Sequence, residues 1–548
     1  MLREFIEQLD KLPQKALTQC VGIDTDKPLI GIISAHNDLS VAHSHLDELA
    51  ERVRDGVIAS GANAKIQHIS SVDCTLLRGQ SAKYDLPSRD LTASSVEFIC
   101  SNDFFDGLVF VASEPNVVAG MLIAAIRLNI PCAFVCVGTM SPIVIQRKER
   151  GFSYFYEQIA SVKKGKASLE TLSAIEANLP IAPGTDCERY GTNSFNCVVE
   201  ALGLAVMGNG TAAANSVERK NIAYKTGELI CKLVDAKCTP RRLLTQAALT
   251  NVVTFDLACG GSSTTMLNLI AIAKELSVKN VSFKSIGDLS KVTPTLLCQE
   301  DENACIMTQF HKAGGVYAML KQLLDAKLIK GDVAAGGDTT LQALLEDVTV
   351  LNSNVIRSAD NSVMPSSRLR LISGNVAENG AFAQYKGEPT FSGTAKVYAN
   401  EEMAIDAILH REVKAGNVIV IRGEGPKSGP GMREIYTTLA LLKGFGLSEK
   451  VAVVTDGRIA DMYNGIVIGH ITPETGERNL FSVLQDGDEI EINVTKGTIK
   501  SDVKAKELAK RYRDSEVSVG NFGNFYLKNW AKTCSTALDG CVYKSKSK

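Results

Sequence analysis

Apolar and polar positions along the chain follow two different rhythms. Through roughly the first 340 residues, short unbroken apolar runs alternate with helical patterns. Leu108-Val-Phe-Val-Ala112 contains no polar position and reads as a buried strand. Val117 to Asn129, rich in Ala, Leu and Ile, reads as a helix, and Cys132 to Val137 as the next strand. This is a βαβ unit, and its repetition implies a mainly parallel sheet covered by helices. In such sheets ligands sit at the carboxyl ends of strands and at the helix N-termini that follow. Ser113 to Asn116 occupies one such position. The loop Gly184 to Gly191, which leads into a helix beginning near Asn193, occupies another.

From about residue 350 the pattern shortens. Asn417-Val-Ile-Val-Ile-Arg422, Val451-Ala-Val-Val-Thr455 and Ile466-Val-Ile468 are brief apolar strands. Asp486-Gly487 is a turn, and Glu489-Ile-Glu-Ile-Asn-Val494 alternates polar with apolar, as a half-exposed strand does. One helix is clear: Asn400 caps it, Glu401 and Glu402 suit its positive end, and Ala404, Ala407 and Ile408 share a face. The expected fold is α/β: an N-terminal α/β domain over 1–350 with a mainly parallel sheet, then a β-rich, barrel-like C-terminal domain over 368–548. The polar stretch Asn352 to Ser367 reads as the linker, and no internal repeat, low-complexity tract or coiled coil interrupts the pattern.

A chain of 548 residues exceeds one core and agrees with two or three domains. A net charge of −2 without long runs of one sign argues against nucleic acid or a membrane surface as partner. Met121-Leu-Ile-Ala-Ala-Ile126 is far too short to span a bilayer, and MLREFIEQLDKLPQ lacks the apolar centre of a signal peptide. The expected location is therefore the cytoplasm. There the fourteen cysteines are thiols, metal ligands or small core residues rather than a disulfide framework.

Eight blocks carry a resemblance. They are GIISAHNDLSVAHSHL (31–46), KYDLPSRDL (83–91), GMLIAAIRLNIP (120–131), NSFNCVVEALGLAVMGNGT (193–211), ACGGSSTTMLNLIAIA (258–273), HKAGGVYAML (311–320), VIVIRGEGPKSGPGMRE (418–434) and TDGR (455–458). In content and order the chain resembles the dihydroxy-acid and phosphogluconate dehydratases, and YGTNS (190–194) with HNDLSVAH (36–43) leans toward the phosphogluconate branch. The resemblance implies an α/β domain followed by a β-barrel, assembly into homodimers or homotetramers, and removal of water from a 2,3-dihydroxy acid to give a 2-keto acid. That chemistry needs a base for the C2 proton, a cation on the carboxylate and a Lewis acid on the C3 hydroxyl. In the family the Lewis acid is the open iron of a three-cysteine iron–sulfur cluster.

Carried over residue by residue, the resemblance assigns Asp73 to the first acidic metal ligand and Glu424 to the carboxylate from the C-terminal domain. Both are oxygen donors suited to Mg²⁺. Pro115 stands where the family has a second acid, and Asn116 where it has a modified lysine. Glu114 replaces the middle cluster cysteine. Cys74 and Cys187 lie near the other cysteine positions but displaced from them. Cys74, Glu114 and Cys187 thus form one candidate for an atypical cluster. The preference of such clusters for thiolates favours its loss instead. Ala460 replaces the catalytic serine after TDGR, leaving Asp461 and Glu114 as candidates for acid–base work. Thr264 and Asn268 replace an asparagine and a histidine.

Lys427 and Ser428 in GPKSG and Arg458 in TDGR are candidate contacts for an anionic substrate, and the glycines of GEGPKSGPG let backbone N–H groups approach an anion. Arg89 and Arg433 suit structural ion pairs at least as well. His36, His43 and His45 suggest a metal cluster at first sight, but packing and hydrogen bonding explain them more simply. The expected function is a divergent hydro-lyase acting on a small anionic polyhydroxy acid. The alternative is a degenerate paralogue that binds a sugar-acid-like anion or serves as a partner subunit.

Overall fold

The computed structural model describes residues 9–73, 76–77, 79–101, 104–145, 147–177, 183–461, 463–514 and 524–544. Four parallel strands open the chain: β1 (Leu29–Ser34), β2 (Asn63–His68), β3 (Gly107–Val111) and β4 (Cys132–Val135), in the order β2-β1-β3-β4. β1, β3 and β4 are buried at every position, which is why they read as continuous apolar runs. The strand order reverses between β1 and β3, so the switch point of the sheet lies where β3 ends.

Helix α1 (Asp85–Ile99) lies against α2 (Pro115–Leu128), which begins just past that point. Proline at its first position costs α2 no hydrogen bond, and its first twelve residues are all buried. Apolar on every side, it forms the centre of the domain. At Gly120 a Cβ would stand 2.3 Å from the Arg89 carbonyl, so only glycine lets α1 and α2 cross this closely.

After β4 the N-terminal domain is helical among the described residues, apart from two short antiparallel ribbons. The expected succession of βαβ units therefore stops early. Helices α3 (Tyr190–Ala201) and α4 (Ser263–Glu275), with the helix Gln246–Ala258, bury their apolar faces against α2 and each other rather than against further strands. α3 begins at Tyr190, earlier than the pattern suggests, because extended Arg189 (φ −120°, ψ 119°) ends the preceding loop.

Eight strands then close a barrel: β5 (Leu369–Gly374), β6 (Ala377–Tyr385), β7 (Thr390–Tyr398), β8 (Asn417–Ile421), β9 (Ala452–Thr455), β10 (Ile466–Thr472), β11 (Glu489–Asn493) and β12 (Thr498–Ser501). They run in the order β6-β10-β9-β8-β7-β11-β12-β5. Val418, Val420, Ala452 and Val454 fill the interior, while Ile419, Ile421 and Val453 pack under the helices Glu401–Leu409 and Tyr436–Phe445. Two covered faces make β8 apolar from Val418 to Ile421 and β9 from Ala452 to Val454. β11 has one covered face and alternates: Ile490 and Ile492 point in, Glu489 and Glu491 out. The Asn400 side chain caps its helix as expected, accepting from the Met403 N–H at 3.0 Å.

The chain finally returns to the N-terminal domain. Trp530 Nε1 donates to Asp90 at 2.8 Å, and Arg89 donates to the carbonyls of Gly540 and Cys541. Among the described residues no helix is long and apolar enough to cross a membrane.

Candidate active site

A cleft of about 60 Å³ opens where the α/β domain meets the barrel. Pro115 and Asn116, at the start of α2, form part of its wall, as do Asp186, Arg189, Gly191 and Thr192 from the loop into α3. Asp85 of α1 and Thr264 of α4 complete that side, and Glu434, Tyr436 and Arg458 face them from the barrel. The cleft therefore sits at the sheet's switch point and at two helix N-termini, the place that strand order favours.

Two arginines hold the walls together. Arg189 donates to Glu434 at 2.7 Å and to Asp461 at 3.2 Å, and its guanidinium lies over the Tyr436 ring at 4.9 Å. The Gly191 N–H donates to the other oxygen of Asp461, and a Cβ at 191 would meet that carboxylate at 2.8 Å. Arg458 donates to the Met432 carbonyl, to Thr264 at 3.1 Å and to Asp85 at 2.5 Å. Asp461 is thus placed beside the cleft with both oxygens engaged. Arg458 lines it with Nε, Nη1 and Nη2 all engaged.

Asp186 differs from these groups. Its Oδ1 accepts the Glu188 N–H at 3.0 Å, and the residue lines the cleft. Burial and, after it, the neighbouring Glu188 raise that carboxyl to about 6 against the pull of Arg189. Asn193 anchors the loop by donating to the carbonyls of Asp186 and Arg189, both at 2.9 Å. Beneath it, Asp256 accepts from Tyr190 Oη and the Ser262 N–H, and burial raises its carboxyl to about 7.

The candidate metal residues lie elsewhere. Asp73 is buried and accepts from Ser40 Oγ at 2.7 Å and from the N–H groups of Ala42 and Leu76, both at 3.3 Å. Glu424 is fully buried and accepts from Arg433 at 2.5 Å and from the Glu401 N–H at 3.0 Å, with the Lys83 ammonium 3.8 Å away. Burial pushes its carboxyl up to about 7 against the pull of Arg433 and Lys83. Neither acid is among the residues lining the cleft, whereas Glu434 is.

Glu114, at the N-cap of α2, is buried and also outside the cleft lining. Its N–H and that of Ser113 donate to His43 Nε2 at 3.4 and 3.3 Å, and His43 Nδ1 therefore carries the hydrogen shared with Ser71. Cys74 lies outside the described residues. Cys187 is buried with its sulfur 3.1 Å from that of Cys305, and this contact together with burial keeps the thiol protonated.

These donors do not fit the groups that the resemblance implies. A cluster of this kind needs three thiolates, and the one sulfur that Cys187 meets among the described residues is that of Cys305. Mg²⁺ takes several oxygen ligands, and of the Glu424 oxygens Oε1 is taken by Arg433 while Oε2 has no hydrogen-bond partner among the described residues, with the Lys83 ammonium, a competing cation, 3.8 Å away. Among the described residues, no group of three or more His, Cys, Asp or Glu is arranged to hold a metal ion.

The glycine-rich loop is also filled from within. The Glu474 carboxylate accepts the N–H groups of Lys427 and Ser428, at 2.9 and 2.8 Å, and Ser428 Oγ at 2.7 Å. Lys427 Nζ points to Glu477 at 3.8 Å. Neither Lys427 nor Ser428 lines the cleft. Sequence reasoning passed over Asp186 and Glu434 although both lie in regions it singled out. Asp186 is next to Cys187, and Glu434 ends the block that contains Glu424.

Comparison with known proteins agrees with this architecture. Residues 27–344 match the N-terminal model, and residues 354–541 the C-terminal model, of the dihydroxy-acid/6-phosphogluconate dehydratases. The chain is 35% identical over 543 residues to the dihydroxy-acid dehydratase of Pyrococcus abyssi and 34% identical over 543 residues to that of Pyrococcus furiosus, covering 98% of each protein in both cases. It is 33% identical over 556 residues to the dihydroxy-acid dehydratase of Campylobacter jejuni, covering 97% of both chains. With both domains matched end to end, the chain belongs to the dihydroxy-acid/6-phosphogluconate dehydratase family.

Proposed function

We propose that the chain is a hydro-lyase that removes water from a small 2,3-dihydroxy (sugar) acid to give a 2-keto acid, with Asp186 moving the proton. The observation that carries this is Asp186 on the cleft wall, its carboxyl accepting the Glu188 N–H, its backbone carbonyl held by Asn193, and Arg189 next to it in the lining. As a carboxylate it takes the C2 proton, and the C–H electrons form the C2=C3 bond. The carboxylic acid so formed passes that proton to the C3 hydroxyl, which leaves as water with the C–O electrons. The enol becomes the 2-keto acid, and Asp186 returns to its carboxylate. A carboxyl raised to about 6 supplies both forms near neutral pH. Asp73 and Glu424 are outside the lining of the cleft, so this route runs without them. We further propose a cytoplasmic homodimer or homotetramer, which light scattering checks.

The test is to assay a panel of aldonic acids for 2-keto acid formation with wild type and Asp186→Asn. The substitution is expected to lower kcat about 10²- to 10⁴-fold, the usual worth of a general acid–base group. A turnover that survives it unchanged removes Asp186 from the mechanism.

A second reading is favoured by the commitment of Arg189 and Arg458 to Glu434, Asp461 and Asp85, which holds the two domains together whether or not a ligand is bound. In that case the chain is a catalytically degenerate paralogue that binds a sugar-acid-like anion or acts as a partner subunit. Aldonate binding without turnover by the wild type would establish it.

A further inference from the structure

Three polar side chains run in series from α1 through α4 to the start of α2. Arg89 is fully buried, and its Nη1 donates to Asn268 Oδ1 at 3.1 Å. Asn268 Nδ2 in turn donates to Asn116 Oδ1 at 3.1 Å. Asn116 is 1% exposed and lines the cleft, and its Nδ2 has no hydrogen-bond partner among the described residues.

The direction of this series is forced. A guanidinium only donates, so the Asn268 oxygen must face Arg89 and its NH2 group must face away. That NH2 group needs an acceptor, so Asn116 turns its own oxygen toward Asn268. The Asn116 NH2 group is what remains for the cleft. Which end of an amide is nitrogen is ordinarily ambiguous, but here a charged donor at one end settles both amides. Arg89 is itself fixed, because Nη1 and Nη2 also donate to the carbonyls of Gly540 and Cys541 at 2.9 and 2.6 Å.

The backbone around Asn116 has the same polarity. The N–H groups of Ser113 and Glu114 are taken by His43 Nε2, and Val118 makes the first intrahelical bond, to the Glu114 carbonyl. The first N–H groups of a helix have no intrahelical acceptor, and its N-terminus favours negative charge.

We propose that Arg89, acting through Asn268, fixes the Asn116 amide with its NH2 group toward the cleft, where it donates to a carboxylate oxygen of the substrate. The inference deepens the hydro-lyase reading and rests on the cleft being the substrate site. Asn116 is then a substrate-binding residue, and Asn268 and Arg89 are positioning residues that set its polarity.

Two measurements on the full chain test this. Neutron diffraction reads the deuterons directly and needs no ligand. They are expected on the cleft side of Asn116 and, in Asn268, on the side facing Asn116. An Asn116 oxygen facing the cleft overturns the inference. In Asn268→Asp the new carboxylate accepts from both neighbours, so Asn116 is expected to turn its oxygen to the cleft. An unturned amide in that variant removes Asn268 as the positioning residue.

The second measurement is calorimetric titration with D-gluconate, a polyhydroxy monocarboxylate. Asn116→Leu is expected to weaken binding about 10- to 100-fold, as loss of a hydrogen bond to a charged group does. Asn268→Asp is expected to weaken it at least as much, although it touches no ligand. If the wild type binds and Asn116→Leu binds equally well, the inference falls and the hydro-lyase reading stands. If binding depends on Asn116 but no aldonate is turned over, the inference stands and the hydro-lyase reading falls. Wild-type protein that fails to bind D-gluconate at millimolar concentration overturns the carboxylate assignment.

Discussion

The glycine-rich loop of the barrel and the cleft at the start of α2 both bring backbone N–H groups and charged side chains together. They use them in opposite ways. In the loop the chain's own acids take several donors: Glu474 takes Lys427 and Ser428, and Asp456 takes the N–H of Glu424 at 2.9 Å. Glu424 is closed by Arg433, which also grips Glu402 through two bonds of 2.7 and 2.6 Å. At the cleft, Asn116 and Asp186 are lining residues, and the Asn116 Nδ2 is buried without a hydrogen-bond partner among the described residues. Glycines therefore show that an anion can come close to the backbone, but not whether it is a ligand or part of the chain.

Substitutions sharpen this contrast. The largest effect is expected from Asp186→Asn, which should cost 10²- to 10⁴-fold in kcat, with little change in melting temperature. The rate should fall as pH drops below about 6, where the Asp186 carboxyl takes up its proton, and steady-state pH profiles check this. Glu424→Ala leaves the buried Arg433 short of its counter-charge. It should cost about 3–5 kcal/mol in urea unfolding while leaving aldonate affinity intact. A matching loss of affinity would tie the two regions together and break the comparison.

Glu474→Ala strands the N–H groups of Lys427 and Ser428, and about 1–3 kcal/mol of stability should go with it. A smaller, pH-dependent loss should come from buried imidazoles. Burial lowers His43 and His45 to about 4 and His470 to about 3. Because the unfolded histidines take up protons first, the stability they lend is complete above about pH 6.5. It is lost as pH falls through these lower values. Melting curves should show this limb, and His43→Ala should remove part of it. Smallest of all, Lys427→Ala should change stability by no more than about 1 kcal/mol, because its ion pair with Glu477 is solvated.

Much of the architecture was legible along the chain. The β3–α2–β4 unit, the alternation in β11 and the Asn400 cap each depend on neighbours a few residues apart, and period and capping chemistry reveal them. The early end of the parallel sheet was not legible, because helices that are apolar on every side look alike whether they cover strands or one another. For the site, the resemblance set Pro115, Asn116 and Ala460 at the positions of an acid, a modified lysine and a serine, and side-chain type carried the expectation that they do not take over those roles. The sequence also determined the family, because both domain patterns run the length of the chain. The roles of the acids were decided only in three dimensions. Glu424 and Glu434 stand ten residues apart in one block, yet one is closed by Arg433 and the other faces the cleft. The polarity of Asn116 depends on Arg89 and Asn268, which reach it from two other helices. A carboxylate or an amide takes its function from the charges that surround it, and here those charges come from distant parts of the chain.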